Sequence, residues 1–365
     1  MMNTEQLEGI LQIADERRDG ALRDPLHLLR SVRGGVAVPR NMIRDLQLRP
    51  GLLLKGTVRG RMLASLSAIN DRAPDEYCAH QTMYDATALD PQPMMKLEHD
   101  PVETTTRVID LICPIGFGSR GLIVSPPRVG KTILLQNIAK GVKANYPDVE
   151  VVLLLVDERP EEVTDMRRNV PGTVYASSND NTVEMHLDLA QLVIEKCKRK
   201  VEFGANIVVL LDSLTRLGRA FNTGGRQGGR TLSGGLDNRA MEIPRRIFGA
   251  ARKLENGGSL TIVATCLVDT GSRMDQVIFE EFKGTGNMEI VLDRKLSDQR
   301  VFPAINIPAS GTRKEELLLD PAHLAASRAI RRLLVDSQPV QAMKSLLGVL
   351  AKHKSNDSVL AAVRP

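Results

Sequence analysis

Residues 121–145 read GLIVSPPRVGKTILLQNIAKGVKAN. The run GLIV (121–124) has the length and composition of a buried strand, while Ile133, Leu134, Ile138 and Val142 recur at helical spacing. Between them lies a loop ending in Gly130-Lys131-Thr132. A phosphate-binding loop needs this order, because backbone N–H groups and a helix N-terminus must converge on the anion. Gly130 lets the backbone approach the phosphates, Lys131 would reach the β- and γ-phosphates of a nucleotide, and Thr132 would hold Mg2+. The usual pattern has glycine where Ser125 stands, which is tolerable if that position needs no positive φ. Pro126 and Pro127 stiffen the loop but remove two donors, so the cradle rests on residues 128–132. Alone, Gly-Lys-Thr would also fit a turn with a surface lysine; the flanking strand and helix decide for a nucleotide.

Working outward, VEVVLLLV (149–156), NIVVLLD (206–212), SLTIVAT (259–265) and NMEIVLD (287–293) are further continuous aliphatic runs. A long amphipathic helix fits residues 183–203. Such strands alternating with helices predict a mainly parallel sheet covered on both faces, an α/β fold. Charged groups at the carboxyl ends of parallel strands face the ligand crevice. Asp157, Glu158 and Arg159 end one run, and Glu158 is the candidate to orient and deprotonate water. Asp212 ends another, as a carboxylate of the Mg2+ shell does. Arg313, in PASGTRKEE (308–316), would by itself be read as a surface arginine.

The chain has 365 residues, 42% of them hydrophobic, and a net charge of +5, which allows two domains and a nucleic-acid partner. Cys78, Cys113, Cys197 and Cys266 form no C-x-x-C pair, which argues against a zinc site and for a reducing compartment. The first residues carry no signal-like apolar core and no run is long enough to span a bilayer, so a cytoplasmic protein with no membrane partner is expected. Residues 1–20 read as a short charged helix, 21–72 as a small β domain, 73–105 as a proline-bearing linker, and 106–365 as the nucleotide domain ending in helices.

GLIVSPPRVGKTILLQNIA, DERPEEVTDM, LLDSLTRLGRAFNT, FGAARKLENGGSLTIVAT, DTGSRMDQVIFEEFKGTGNMEI and RVFPAINIPASGTRKEELL together resemble the ATPase core of the transcription termination factor Rho family. The resemblance runs from about 106 to 320 and includes the proline-rich loop head. It implies a RecA-like P-loop ATPase domain in a hexameric ring that hydrolyses ATP, pulls single-stranded RNA through a central channel as a translocase and helicase, ends transcription, and meets RNA polymerase. By that likeness Lys131, Glu158, Asp212 and Arg313 are catalytic, Arg313 entering the neighbouring subunit's site. Arg128, Val129, Gly130, Thr132 and Ile133 surround the nucleotide, Arg159 and Arg216 lie near the γ-phosphate, and Phe302 stacks on adenine. Thr132 and Asp212 hold the metal. Arg230 and Thr231 in TGGRQGGRTLSGG (223–235), Thr270, Gly271, Ser272 and Arg273 in DTGSRMD, and Lys283 contact RNA. Independently, residues 213–252 hold eight arginines against Asp237 and Glu242, and six glycines in 223–235 suit a loop along a phosphate backbone rather than a core.

The amino-terminal segment departs from that family. An oligonucleotide-binding-like barrel with an aromatic motif of the form G-F-G-F-L-R is implied there, whereas DPLHLLRS (24–31) is the stretch compared with it and residues 1–70 hold no Phe, Trp or Tyr. Stacking supplies about 1–3 kcal/mol per base, so a weak or lost pyrimidine grip is expected. Two alternatives stay open. One is a Rho-like regulator that binds RNA or RNA polymerase with weakened RNA loading; the other is a different RecA-like motor.

Overall fold

Leu7 and Leu11 are buried while the polar residues between Glu5 and Gln12 face outward, a period of two that makes this segment a strand. The computed structural model describes residues 5–77, 82–224 and 238–363. Strands β1 (Glu5–Gln12), β2 (Gly20–Arg23), β3 (Ala37–Val38), β4 (Leu53–Arg59) and β5 (Met62–Ile69) close into a barrel of order β1-β2-β3-β5-β4. The expected helix over 1–20 is therefore wrong. Leu7 and Leu11 suit either a helix or a strand, and the ladder from Glu5↔Val58 to Ile10↔Leu53 against β4 decides for the strand. The barrel core is Leu7, Leu11, Leu22, Val36, Val38, Leu48, Leu52, Leu54, Val58, Leu63 and Ile69. In β4 the inward positions include Gly56, where a Cβ would lie 2.0 Å from the Ser65 carbonyl oxygen; only glycine fits that bulge. Helix α1 (Arg40–Asp45) follows β3.

Residues 82–103 are no free linker. Met83, Met95 and Leu97 are buried. Strand β6 (Ala88–Leu89) pairs with β11 (Arg252–Leu254), and Met95 N–H donates to the Ile115 carbonyl at 2.7 Å. The segment is a packed strap whose irregular apolar spacing gives no periodic signal.

The larger unit is built on a sheet of order β14-β13-β7-β12-β10-β8-β9, with β11 and β6 beside β12. Its parallel strands are β7 (Arg120–Ser125), β8 (Glu150–Glu158), β9 (Thr173–Ser178), β10 (Asn206–Asp212), β12 (Ser259–Leu267) and β13 (Met288–Val291), and β14 (Gly311–Thr312) closes the edge antiparallel to β13. Both faces are covered. Val151, Leu153 and Leu155 pack with α2 (Thr104–Ile112), α3 (Lys131–Asn145), α4 (Pro160–Asn169) and the following helices α9 (Arg294–Asp298), α10 (Pro321–Leu334), α11 (Pro339–Leu350) and α12 (Asn356–Ala362). Val152, Leu154 and Val156 pack with α5 (Val183–Glu202), α6 (Leu214–Gly224), α7 (Glu242–Gly249) and α8 (Arg273–Phe282). This is why β8 is continuously aliphatic.

The barrel is seated on α5. Gly51 (φ +88) lies against the helix backbone, where a Cβ would come within 2.3 Å of the Glu195 carbonyl carbon. Beside it the Arg49 guanidinium pairs with buried Glu202 at 2.9 Å. Residues 24–31 form a turn beyond β2, not a strand face: Leu28 is buried in the core shared with α5, and the Tyr175 hydroxyl donates to the Pro25 carbonyl at 2.7 Å. One outward register row of the barrel, the one that crosses β2, is instead Gln12, Ala21, Ala37 and Met62. Cys113, Cys197 and Cys266 are buried and unpaired, and Cys78 lies outside the described residues. No helix among the described residues is long and apolar enough to cross a membrane.

Candidate nucleotide site

Strand β7 delivers the chain to the loop at 126–130, and α3 starts at Lys131. Gly130 takes φ +93 and Arg128 φ +65, so the loop turns through left-handed backbone that only glycine adopts freely. Ser125 is buried in the strand, its hydroxyl donating to the Pro126 carbonyl at 2.8 Å. It carries no positive φ, which is why glycine is dispensable there. Val129 is buried, Thr132 half-buried, and Arg128 and Ile133 exposed. Phe302 is 45% exposed and its ring lies beside the loop, 3.6 Å from where a Gly130 Cβ would stand.

Three neighbouring strands bring two carboxylates and a hydroxyl together beside Lys131. Its Nζ donates to Asp212 Oδ1 at 2.7 Å, at the end of β10, and lies 3.9 Å from Glu158 Oε2, at the end of β8. Asp212 Oδ1 also accepts from the Thr265 hydroxyl of β12 at 2.8 Å. Arg216 Nη2 donates to Glu158 Oε1 at 2.9 Å, and its Nη1 donates to the Asp157 carbonyl. Arg159 is exposed and its backbone N–H reaches Glu158 Oε1 at 3.2 Å. Burial is the first cause that raises the Glu158 pKa above the ordinary carboxylate value, and the Asp212 charge adds to it; Lys131 and Arg216 pull the other way. Glu158 Oε2 is buried and accepts no hydrogen bond. An orphaned carboxylate oxygen and the oxygen donors of Asp212 and Thr132 suit a hard divalent cation or its water.

On the same edge of the sheet, β12 leads through residues 268–272 into α8. Thr270 Oγ1 donates to Asp275 Oδ2 at 2.5 Å, Gly271 has φ +75, and the Ser272 hydroxyl caps α8 by accepting from Asp275 N–H at 3.4 Å. Arg219 Nε donates to Asp275 Oδ1 at 2.8 Å, so buried Asp275 ties this loop to α6. Arg273 and Lys283 are exposed, Lys283 lying 5.6 Å above the Phe279 ring. Arg230 and Thr231 lie outside the described residues. Sequence reasoning missed Thr265 and Asp275. Thr265 ends an aliphatic run as Asp212 does, a signal that was available; Asp275 gives none, because its burial depends on α6.

Arg313 stands elsewhere. It follows β14, its N–H donates to the Asn287 carbonyl at 2.8 Å, and the Asn287 N–H donates to the Arg120 carbonyl at 3.0 Å, where β7 begins. The loop that holds Lys131 leaves from the other end of β7, about 16 Å away at ~3.3 Å per residue. Within one chain, Arg313 and Lys131 occupy opposite ends of the sheet.

The ATP synthase alpha/beta family, nucleotide-binding domain, matches residues 105–312. The chain is 48% identical over 98% of its length to transcription termination factor Rho of Streptomyces lividans, and spans about half, 51%, of that protein. It is 47% identical over 98% of its length to the protein of the same name from Aquifex aeolicus, and covers 84% of it. Among solved structures it is similar to the assembled ATPase EscN of the enteropathogenic E. coli type III secretion system, with a TM-score of 0.63 over 100% of this chain and 98% of that one at 17% identity, a likeness of fold.

Proposed function

The chain belongs to the transcription termination factor Rho family, with a nucleotide-binding domain of the ATP synthase alpha/beta family, and from that premise we propose that it hydrolyses ATP to pull single-stranded RNA through a ring of six copies and so ends transcription. The observation that carries this reading is the meeting of Lys131, Asp212, Glu158 and Arg216 at adjoining strand ends beside a helix N-terminus. Lys131, held between two carboxylates, is placed to exchange them for the β- and γ-phosphates. Thr132 and Asp212 would hold Mg2+, which supplies charge neutralisation on the phosphate oxygens when bound. Glu158 takes the proton of the attacking water; its raised pKa makes it the stronger base. Arg216 keeps Glu158 oriented through the 2.9 Å bond. Phe302 offers the adenine a ring face at the loop. Arg313 enters the site of the next copy and stabilises transition-state charge, an effect of about 10³–10⁵ in rate.

Inside the ring RNA passes Thr270, Gly271, Ser272, Arg273 and Lys283, and Arg230 and Thr231, which lie outside the described residues, are its further contacts. RNA polymerase is the expected protein partner. One observation favours a narrower role for the barrel: its outer row of Gln12, Ala21, Ala37 and Met62 offers no ring for a base to stack on. Loading by base-selective capture is therefore weak, whichever RNA reaches the channel. ATP hydrolysis measured with poly(C), with poly(U) and without RNA tests both points. Stimulation by either polymer with little preference is expected; equal rates with and without RNA would remove the translocase reading.

A further inference from the structure

At the amino end of the sheet, remote from the nucleotide loop, a cavity of about 430 Å³ opens between β6, β11, the start of β7 and the turn at 312–314. Its cationic lining is Arg120, Arg252, Arg313 and Lys314, and the acid among its lining residues is Asp90. Lys314 already holds that acid at 2.9 Å. Arg120 and Arg252 are half-buried, and the Nε of each is buried with no hydrogen-bond partner. Among the described residues no carboxylate pairs with either guanidinium. Arg252 lies over the Tyr84 ring at 4.3 Å and makes a long 3.5 Å bond to the Gly249 carbonyl. Burial is the first cause that holds the Arg252 pKa down; Tyr84 opposes it, and the positive charge of Arg120 pushes the same way as burial.

Buried polar groups are nearly always bonded, and like charges that line one partly buried cavity are costly unless an anion joins them. A guanidinium fork matches the paired oxygens of a phosphate. We propose that this cavity is a second anion site that binds an oligophosphate, gripped by Arg120 and Arg252 with Arg313 at its mouth. The ligand is either a free inorganic oligophosphate or the phosphate tail of a nucleoside diphosphate. The proposal does not rest on the role given to Arg313 above.

The test is titration calorimetry of the full chain carrying Lys131→Ala, which silences the nucleotide loop, against pyrophosphate and separately against ADP. Saturable pyrophosphate binding that survives Lys131→Ala is expected. It should weaken by about tenfold or more in Arg120→Gln and in the charge-keeping Arg252→Lys, because single-point charge does not replace a bonded fork. Circular dichroism of both variants establishes that they fold, and Arg313→Gln, an exposed position, gives a third reading of the same site. Tighter binding of ADP assigns the site to nucleotide tails and equal or weaker binding to free oligophosphate; either supports the proposal. Loss of pyrophosphate binding with Lys131→Ala alone overturns it, as does unchanged binding in both arginine variants. If Arg120→Gln leaves anion binding intact and instead weakens self-association, the cavity takes an acidic side chain of a second copy, and the proposal fails. Hydrolysis lost in Lys131→Ala speaks to the nucleotide reading alone, so the two can fail separately.

Discussion

At the carboxyl edge of the large sheet the buried and half-buried groups answer one another: Lys131 holds Asp212, Thr265 bonds the same carboxylate, and Arg216 holds Glu158. On the outer face of the barrel the register row is Gln12, Ala21, Ala37 and Met62, with Arg23 turned aside to Gln12 at 2.6 Å. Both units keep an apolar interior and both fold. The difference is that the sheet edge presents a polar network with an unsatisfied carboxylate oxygen, while this row of the barrel presents small or flexible side chains. A scaffold can outlast the chemistry once mounted on it, because interior packing and surface function draw on alternate residues of the same strands.

The sharpest way to break this contrast is at Arg313. Replacing it with alanine should lower RNA-stimulated hydrolysis about 10³–10⁵-fold. Mixing Arg313→Ala chains with Lys131→Ala chains should restore part of the rate, since some interfaces then pair an intact loop with an intact arginine. A normal rate in Arg313→Ala chains would leave the site complete within one chain. Next in size, Glu158→Gln should lower kcat about 10²–10⁴-fold with nucleotide affinity kept, read by fluorescence binding beside steady-state kinetics. On the barrel, Met62→Tyr adds a ring at an exposed position of the outer row. It should strengthen binding of a short pyrimidine oligonucleotide by about 1–3 kcal/mol per stacked base. No gain there would mean that the barrel face does not meet RNA.

The smallest effect is on pH. Glu158 must be ionised to accept a proton, so the rate falls as pH drops through its pKa, which burial and Asp212 set above the usual carboxylate value. Arg216 opposes that rise. In Arg216→Gln the acid limb of the kcat profile should move to higher pH. A limb that stays in place would detach Glu158 from proton transfer.

Much of the large unit could be read from the chain because its strands are buried on both faces and end in charge; GLIV, VEVVLLLV and NIVVLLD needed no partner to be recognised. The amino-terminal strand was hidden because Leu7 and Leu11 are four apart, a spacing that a helix and a strand share. The strap from 82 to 103 was hidden for the opposite reason, since Met83, Met95 and Leu97 follow no period and are buried by neighbours far away in sequence. By sequence DPLHLLRS is the candidate for a base-stacking strand, yet it is a turn whose Leu28 is claimed by the core beside α5. Within the site, Lys131, Asp212 and Glu158 came from strand ends, whereas Asp275 depends on how α6 and α8 cross.

Because Arg313 and Lys131 sit at opposite poles of each copy, catalysis that uses both follows a counting rule. In a head-to-tail arrangement that closes, complete sites equal copies; in one that stays open, the terminal loop lacks its arginine and one site is lost. Turnover per copy then reports closure directly, without any image of the assembly.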